Sequence, residues 1–292
     1  MKLTPALLLG LSVSFLTPVC PARNIILFIG DGMGFEHVQA GRLYVKGSAG
    51  GGLWFELLPY HGRAVTTLPS GAVTDSATAG TALATGYQHP SNGTISTDTA
   101  GNPVETILER ARNAGWRTGI ITTDDIGGAT PGAFGAHEPD RNLMAEIRAD
   151  YLVADFNHLP SLPNALFGGG ASAEYTAAAT TVGYTVVATA NALNALDLVN
   201  LPRPWLLGQF ASTTLTREND RLLGNPEPRL WEMVRRALEL LSQNGSSFFL
   251  VVEGALIDKI SHDNASDDLC PETAQFDLAF QEARNWVDVN DS

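Results

Sequence analysis

Residues 24–34 read NIILFIGDGMG, and this stretch decides the fold class of the chain. Five of its first six residues are large and apolar, which is the pattern of a strand buried on both faces of a parallel sheet. A glycine-rich loop with one carboxylate, Asp31, follows the strand. Ligands of open α/β sheets bind beyond the carboxyl ends of the strands, so Asp31 lies where a functional group is expected.

Three interpretations of the Asp31 loop can be compared at this point, and the first does not fit the sequence. A dinucleotide-binding loop requires G-x-G-x-x-G, but Phe35 stands in the place of the third glycine, and a bare carboxylate would repel a pyrophosphate. A divalent cation on Asp31 would instead make the loop attractive to phosphate. A tight turn with a solvated Asp31 needs no ligand. The choice between the last two depends on other ligands in the sequence.

The chain is acidic and of ordinary globular composition. Its 292 residues are 44% hydrophobic and 17% charged, and 31 acidic against 18 basic residues give a net charge of −13. This balance disfavours nucleic acid or an anionic membrane as the main partner. An anionic substrate would therefore be held by local positive charge, from a metal ion or a well-placed Arg.

The N-terminus predicts export to the periplasm or the cell exterior. Residues 1–22 begin with Lys2 and continue as a mostly apolar run that is too short and interrupted for a membrane span. Removal of this signal would leave residues 23–292 as one domain with a single cysteine, Cys270, and hence without an intrachain disulfide.

Apolar periodicity and cap residues predict alternating strands and helices. The helix at 103–114 takes Asn102 as its cap, Pro103 as its first residue and Glu105 as the residue that reaches back to the cap. The glycines at 168–170 predict a turn. The alternation indicates a three-layer α/β/α sandwich around a largely parallel central sheet. Strands are predicted at 24–29, 63–68, 118–122, 184–188 and 247–252, and helices at 35–45, 75–86, 103–114, 226–242 and 272–287.

Three polar residues of the first half are candidates for chemistry. Ser76 opens the helix at 75–86, where N–H groups and the helix dipole favour a phosphate, although serine is also a common cap there. It lies outside any G-x-S-x-G elbow and has no neighbouring His as a base, so a metal ion would have to activate it. Thr130 offers a hydroxyl just after a strand, and Arg141 could hold two phosphoryl oxygens with its planar fork. Either of these two is an ordinary surface residue when considered alone.

Three further side chains, Glu253, Asp258 and His262, follow one another closely. Glu253 ends a buried strand, Asp258 comes five residues later and His262 four residues after that. If the residues after the strand are helical, Asp258 and His262 share one face, as ligands of one cation must; a surface Asp–His pair is the alternative. Mg²⁺ would take the oxygen set Asp31, Thr130 and Glu253, whereas zinc prefers a mixed set such as Asp258 with His262.

Taken together, these motifs resemble those of the bacterial alkaline phosphatases. The resemblance covers residues 24 to 287 and keeps the family's order and approximate spacing. It implies a phosphomonoesterase that acts on small phosphate monoesters with two Zn²⁺ and one Mg²⁺ as cofactors. Homodimers are common in the family. The matching segments are GDGMG at 30–34, VTDSA at 73–77, ATP at 129–131 and EGALIDKISH at 253–262.

The resemblance also implies a role for each matching residue. Ser76 would be the nucleophile that becomes a phosphoserine, Arg141 would clamp the phosphate oxygens, and Lys259 would contact phosphate through water. Asp31 would bridge one zinc and the magnesium, and Ser76 would be a second ligand of that zinc. Thr130 and Glu253 would be the other protein ligands of the magnesium. Asp258 and His262 would bind the other zinc.

The sequence departs from the family pattern at its C-terminus. Family members continue with a strand ending in an Asp-His pair and with a later His, all of them zinc ligands, whereas this sequence ends at Ser292. We therefore expect a truncated member with incomplete zinc sites, and the alternative function is a non-catalytic, metal-binding remnant of the fold. A phosphodiesterase or sulfatase of the same superfamily is a third interpretation. The remaining histidines lie outside the matching motifs: His37, His61, His89, His137 and His158.

Overall fold

A computed structural model describes residues 23–47, 51–153 and 162–290; the export signal predicted at 1–22 lies outside these residues. The strands are β1 (Asn24–Gly30), β2 (Arg117–Asp125), β3 (Ala165–Gly169), β4 (Thr185–Val187), β5 (Leu206–Gln209) and β6 (Phe248–Gly254). The helices are α1 (Phe35–Lys46), α2 (Ser76–Thr85), α3 (Ile107–Asn113), α4 (Ala129–Gly135), α5 (Met144–Asp150), α6 (Ala173–Val182), α7 (Ala190–Ala195), α8 (Leu230–Leu241), α9 (Leu256–His262) and α10 (Ser266–Asn290). None of these described helices is long and apolar enough to cross a membrane.

The strands form one parallel sheet in the order β1-β6-β2-β3-β5-β4. Helices α8 and α10 cover one face, where Leu238 and Phe276 belong to the same buried core as Val252 of β6. The opposite face packs against a second core, which includes Ala77 of α2 and Phe134 of α4. The predicted three-layer α/β/α class is therefore confirmed.

The strand register brings the carboxyl ends of three neighbouring strands together. Glu253 of β6 is paired with Ile29 of β1 on one side and with Thr122 of β2 on the other. The loops that leave these strands consequently start side by side. This edge of the sheet is where ligands of open α/β folds bind.

Strand β1 is only half-buried, so the expectation that it is buried on both faces was wrong. Among the described residues it pairs with β6 alone and forms an edge of the sheet, and Ile25 is 44% exposed. An apolar groove of about 590 Å³ runs beside it, lined in part by Ile26, Phe28, Leu57 and Trp286. Hydrophobicity identifies a strand, but its position in the sheet depends on partners that are distant in sequence.

Two predicted elements of the first half differ in the structure. Helix α3 begins at Ile107 rather than at 103, since Thr106 and Glu109 cap each other. The Thr106 hydroxyl accepts the Glu109 N–H at 3.2 Å, and the Glu109 carboxylate accepts the Thr106 N–H at 2.6 Å. The strand predicted at 63–68 does not form, and a single antiparallel bridge joins Thr67 to Val73 instead.

Other elements are present with shifted ends. Helix α8 starts at Leu230, later than predicted. Gly168 and Gly169 are the last residues of β3 rather than part of a turn. Thr130, which was expected just after a strand, lies in the first turn of α4. These shifts leave the order of strands and helices unchanged.

Candidate active site

The Asp31 loop turns sharply and packs against α9. Gly32 has a φ of +61°, a conformation that side-chain-bearing residues seldom adopt. A Cβ at this position would collide with the carboxylate of Asp258. The close approach of the loop to α9 therefore requires a glycine at 32, and it brings Asp31 and Asp258 to one location.

Ser76 and Asp31 are in direct contact. Ser76 is the first residue of α2, and its Oγ lies 3.0 Å from both Oδ1 and Oδ2 of Asp31. The hydroxyl therefore donates to the carboxylate, at the end of a helix whose N–H groups attract anions. The preceding residue, Asp75, caps the helix by accepting the Thr78 N–H at 3.0 Å. The cap is therefore Asp75 and not Ser76, which the sequence allowed as a cap, and the Ser76 hydroxyl is directed to Asp31 instead.

Arg141 reaches the start of α2 from a distant segment. Its Nη1 donates to Oδ2 of Asp75 at 3.0 Å, and its side chain is 36% exposed. Burial acts to raise the pKa of Asp75, but the hydrogen bonds from Thr78 and Arg141 prevail and lower it. Asp75 thus remains ionised and holds the guanidinium beside Ser76.

Glu253 lies at the centre of the site and is buried, with 2% of its surface exposed. The Thr122 hydroxyl donates to its Oε2 at 2.5 Å, and the Thr130 hydroxyl also donates to its carboxylate. Burial, followed by the negative charges of Asp31 and Asp124, raises the pKa of Glu253 to about 8. Two hydroxyls satisfy its hydrogen bonds without supplying a positive charge.

The carboxylate of Asp31 is in a similar environment. Burial and then the charge of Asp258 raise its pKa, although the hydrogen bond from Ser76 and the charge of Arg141 act in the opposite direction. A divalent cation between these acidic groups would relieve both their desolvation and their mutual repulsion.

Asp258 and His262 share one face of α9, as their spacing predicts. Nε2 of His262 lies 3.2 Å from Oδ2 of Asp258, and the His262 side chain is 77% exposed. The start of α9 is fixed by Thr123 of β2, whose hydroxyl accepts the N–H groups of Ala255 at 3.0 Å and Leu256 at 3.2 Å. The structure therefore brings all seven candidate residues to one edge of the sheet.

Asp124 is a further member of the site that the sequence interpretation overlooked. Its Oδ1 lies 3.1 Å from Nζ of Lys259, and burial raises the pKa of this carboxylate more than Lys259 lowers it. A Cβ at Gly128 would lie 2.6 Å from Oδ2 of Asp124. The available signal was the TTDD sequence at the carboxyl end of β2, where the rule applied to Asp31 also predicts functional side chains.

The donor set fits hard divalent cations. Asp31, Glu253 and Thr130 offer oxygen atoms with excess negative charge, and Asp258 with His262 offers a mixed oxygen and nitrogen pair. Across residues 23–47, 51–153 and 162–290, no group of three or more His, Cys, Asp or Glu side chains has the arrangement of a complete metal site. Each candidate set thus consists of one or two charged side chains, with hydroxyls in two of the three.

Comparison with known proteins gives a consistent result. The sequence model of the alkaline phosphatase family matches residues 22–181 and 172–292. Alkaline phosphatase 4 of Bacillus subtilis is 34% identical over 274 residues, which cover 89% of this chain and 57% of that protein. The chain therefore spans less than two thirds of the length of this relative.

Two solved structures share the fold. A cold-active alkaline phosphatase from a psychrophilic Shewanella species superimposes with a TM-score of 0.79 at 30% identity, covering 91% of this chain and 65% of that one. A variant of the TAB5 alkaline phosphatase with Mg bound in its M3 site gives a TM-score of 0.78 at 25% identity, covering 92% of this chain and 75% of that one.

Proposed function

This chain belongs to the alkaline phosphatase family, and from that premise we propose that it hydrolyses phosphate monoesters through a phosphoserine on Ser76. The observation that carries the proposal is the contact of the Ser76 hydroxyl with both carboxylate oxygens of Asp31, at 3.0 Å each. The nucleophile thus lies beside a carboxylate and at the N-terminus of α2, which attracts the phosphate group.

The reaction proceeds in two displacements. Oγ of Ser76 attacks phosphorus, the bond from phosphorus to the ester oxygen breaks, and the departing oxygen takes up a proton from solvent and leaves as the alcohol. Asp31 accepts the hydrogen bond of the Ser76 hydroxyl, which favours loss of that proton during the attack. Water then attacks the phosphoserine, releases inorganic phosphate and regenerates the serine hydroxyl.

Arg141 stabilises the charge on the phosphoryl oxygens. Its guanidinium is held beside the nucleophile by Asp75 and is partly exposed, so part of its donor set is available to a ligand. The three equatorial oxygens become most negative in the transition state of phosphoryl transfer, which is where a positioned Arg contributes most.

The cations of this proposal are Mg²⁺ and two Zn²⁺. Asp31, Thr130 and Glu253 would hold Mg²⁺, Asp31 with Ser76 would contribute to one zinc, and Asp258 with His262 would contribute to the other. When bound, such ions lower the pKa of a coordinated hydroxyl and neutralise charge on the attacking and leaving oxygens. The TAB5 variant with bound Mg supports a magnesium site in this fold.

A metal-binding protein without catalytic activity is the second candidate function. It is favoured by one observation, namely that each predicted zinc set has only two donors among the described residues, one of them a carboxylate. Such a protein would bind Zn²⁺ or Mg²⁺ at Asp31, Glu253 or Asp258 without turnover.

The test combines a rate measurement with trapping of the intermediate. We expect p-nitrophenyl phosphate hydrolysis at alkaline pH with added Zn²⁺ and Mg²⁺, and a loss of about 10⁴-fold in kcat for Ser76→Ala. Ser70→Ala, at an exposed serine, is the control. Acid quenching with labelled substrate should leave phosphate on Ser76. Full activity of Ser76→Ala would refute the nucleophile, metal binding without turnover would support the second candidate, and faster hydrolysis of bis-p-nitrophenyl phosphate would indicate a diesterase.

The proposal extends to location and assembly. Residues 1–22 would direct export, residues 23–292 would form the catalytic domain, and the domain would associate as a homodimer. Cell fractionation and light scattering of the secreted product test these points. Retention in the cytoplasm would contradict the proposed export, and a monomeric mass would contradict the proposed homodimer.

A further inference from the structure

His37 connects two segments of the active site, although it belongs to none of the matching motifs. It is the third residue of α1, and its Nδ1 lies 2.9 Å from the backbone N of Gly34, in the Asp31 loop. Its Nε2 lies 3.0 Å from Oγ of Ser261 on α9, which is 224 residues away in sequence. One partly buried imidazole thus bridges the loop that carries Asp31 and the helix that carries Asp258.

The hydrogen-bond directions follow from the partners. The backbone N–H of Gly34 can only donate, so Nδ1 of His37 accepts and Nε2 carries the hydrogen. Nε2–H therefore donates to Oγ of Ser261. The Ser261 hydroxyl in turn donates to the carbonyl of Ile257, one turn earlier on α9, at 2.6 Å. The chain of bonds ends on the helix backbone and does not involve a metal-ligating atom.

We propose that His37 is a positioning residue that fixes the Asp31 loop against α9 and so sets the separation of Asp31 and Asp258. The two carboxylates lie on different segments, and the contact between Gly32 and Asp258 requires the loop to remain close to the helix. His37 touches neither carboxylate, so it acts through the backbone of the two segments that carry them, as groups outside the ligand shell can do in metal sites. The consequence for zinc binding rests on the function proposed above, whereas the fixed loop does not depend on it.

Two single variants break this connection from opposite sides. In His37→Gln, the amide oxygen can still accept the Gly34 N–H, as in an ordinary capping box, but the contact with Ser261 is lost. In Ser261→Ala, the cap remains and the acceptor for Nε2–H is lost. Both variants should keep the thermal stability of the parent chain within a few degrees, because neither removes core packing. The parent chain, the two single variants and the double variant together form a double-mutant cycle, which measures whether the two effects are additive.

Amide hydrogen exchange on the chelator-treated chain tests the connection directly. We expect the amides of residues 31–34 to exchange roughly fivefold faster in each single variant than in the parent chain. Exchange in the double variant should be as fast as in either single variant and not faster. The affinity for Zn²⁺ should fall about tenfold in each single variant, and the double variant should show the same loss and no more. Competition with a chromophoric chelator measures this affinity.

Matched controls lie elsewhere in the chain. Ser242 donates to the carbonyl of Leu238 at 2.7 Å, in the same geometry as Ser261, so Ser242→Ala controls for the lost intrahelical bond. His61 is exposed, so His61→Gln controls for the change of residue type. Neither should alter exchange at 31–34.

The outcomes separate the two proposals. Parental exchange rates in both single variants, or additive effects in the double variant, would overturn the role of His37. Faster, non-additive exchange in a chain that binds no Zn²⁺ would support His37 and refute the metal-dependent function. Faster exchange together with weaker Zn²⁺ binding would support both.

Discussion

Two buried carboxylates at the same edge of the sheet are held in different ways. Both oxygens of Asp125, at the end of β2, lie 2.8 Å from Nη1 of Arg148, and Oδ1 accepts the N–H of Gly127 at 2.7 Å. Glu253, at the end of β6, receives hydroxyl hydrogen bonds and faces two other carboxylates. No Lys or Arg in the described part of the chain pairs with Glu253.

Under the function proposed above, this difference separates a structural carboxylate, Asp125, from a cation ligand, Glu253. Asp125 has its counter-ion within the chain, so its charge is neutralised as the protein folds. Glu253 has donors for its lone pairs but no neutralising charge, which makes it unfavourable as an anion until a cation arrives. We therefore base the proposed cation site on the lack of a positive partner for Glu253 among the described residues, and not on the number of acidic side chains.

The largest effect is predicted for Arg148→Met. Removal of the guanidinium leaves the buried carboxylate of Asp125 without a counter-ion, so the free energy of unfolding should fall by about 4 kcal/mol. Urea denaturation measures this loss. Adding Asp125→Asn to Arg148→Met should recover part of it, because the uncompensated charge is then removed. A loss below about 1 kcal/mol would show that the ion pair is not the structural element described here.

Stabilisation of the fold by Mg²⁺ should depend on the carboxylate of Glu253 and not on that of Asp125. At about 100 times its dissociation constant, Mg²⁺ should raise the free energy of unfolding of the parent chain by about 2.7 kcal/mol. Glu253→Gln should abolish this gain, because a cation ligand is lost, and Asp125→Asn should retain it. Equal stabilisation of both variants would place the cation elsewhere.

Stability of the chelator-treated chain should fall as the pH rises. The pKa of Glu253 is raised from 4.5 to about 8, so the folded state keeps a proton that the unfolded state has released. The stabilisation is complete below about pH 4.5 and is lost as the pH rises towards about 8. We expect a decrease on the order of 2 kcal/mol between about pH 5 and pH 7. Glu253→Gln should flatten the dependence, and an unchanged slope would contradict the assignment.

The smallest effect is predicted for Lys259→Met. The ion pair of Lys259 with Asp124 is partly exposed, with 40% of the Lys259 side chain accessible. Its loss should lower the free energy of unfolding by less than about 1 kcal/mol, in contrast to Arg148→Met. Thermal and urea denaturation of the two Met variants in parallel gives the comparison. Equal losses would remove the distinction between the two pairs.

Sequence patterns predicted the features that depend on neighbouring residues. Three predicted features follow from local periodicity and capping: the strand before Asp31, the helix that starts at Ser76 and the shared helix face of Asp258 and His262. The family motifs then identified which polar residues would meet. The layered fold and the residues at its carboxyl edge could therefore be predicted without coordinates.

The features that sequence patterns missed depend on competition or on distant contacts. Asn102 and Thr106 both qualify as helix caps, and Thr106 prevails because Glu109 reciprocates. The edge position of β1 depends on the order of strands in the sheet. The contact of His37 with Ser261 joins residues that no local pattern connects.

The close approach of Gly128 to Asp124 also constrains how this sequence can diverge. A side chain at 128 and a carboxylate at 124 compete for the same space, since a Cβ at Gly128 would lie 2.6 Å from Oδ2 of Asp124. A smaller residue at 124 would not by itself make room at 128, because a Cβ there would also lie 2.9 Å from the backbone oxygen of Asp125. We therefore expect glycine to be kept at 128 among related sequences even where the residue at 124 differs.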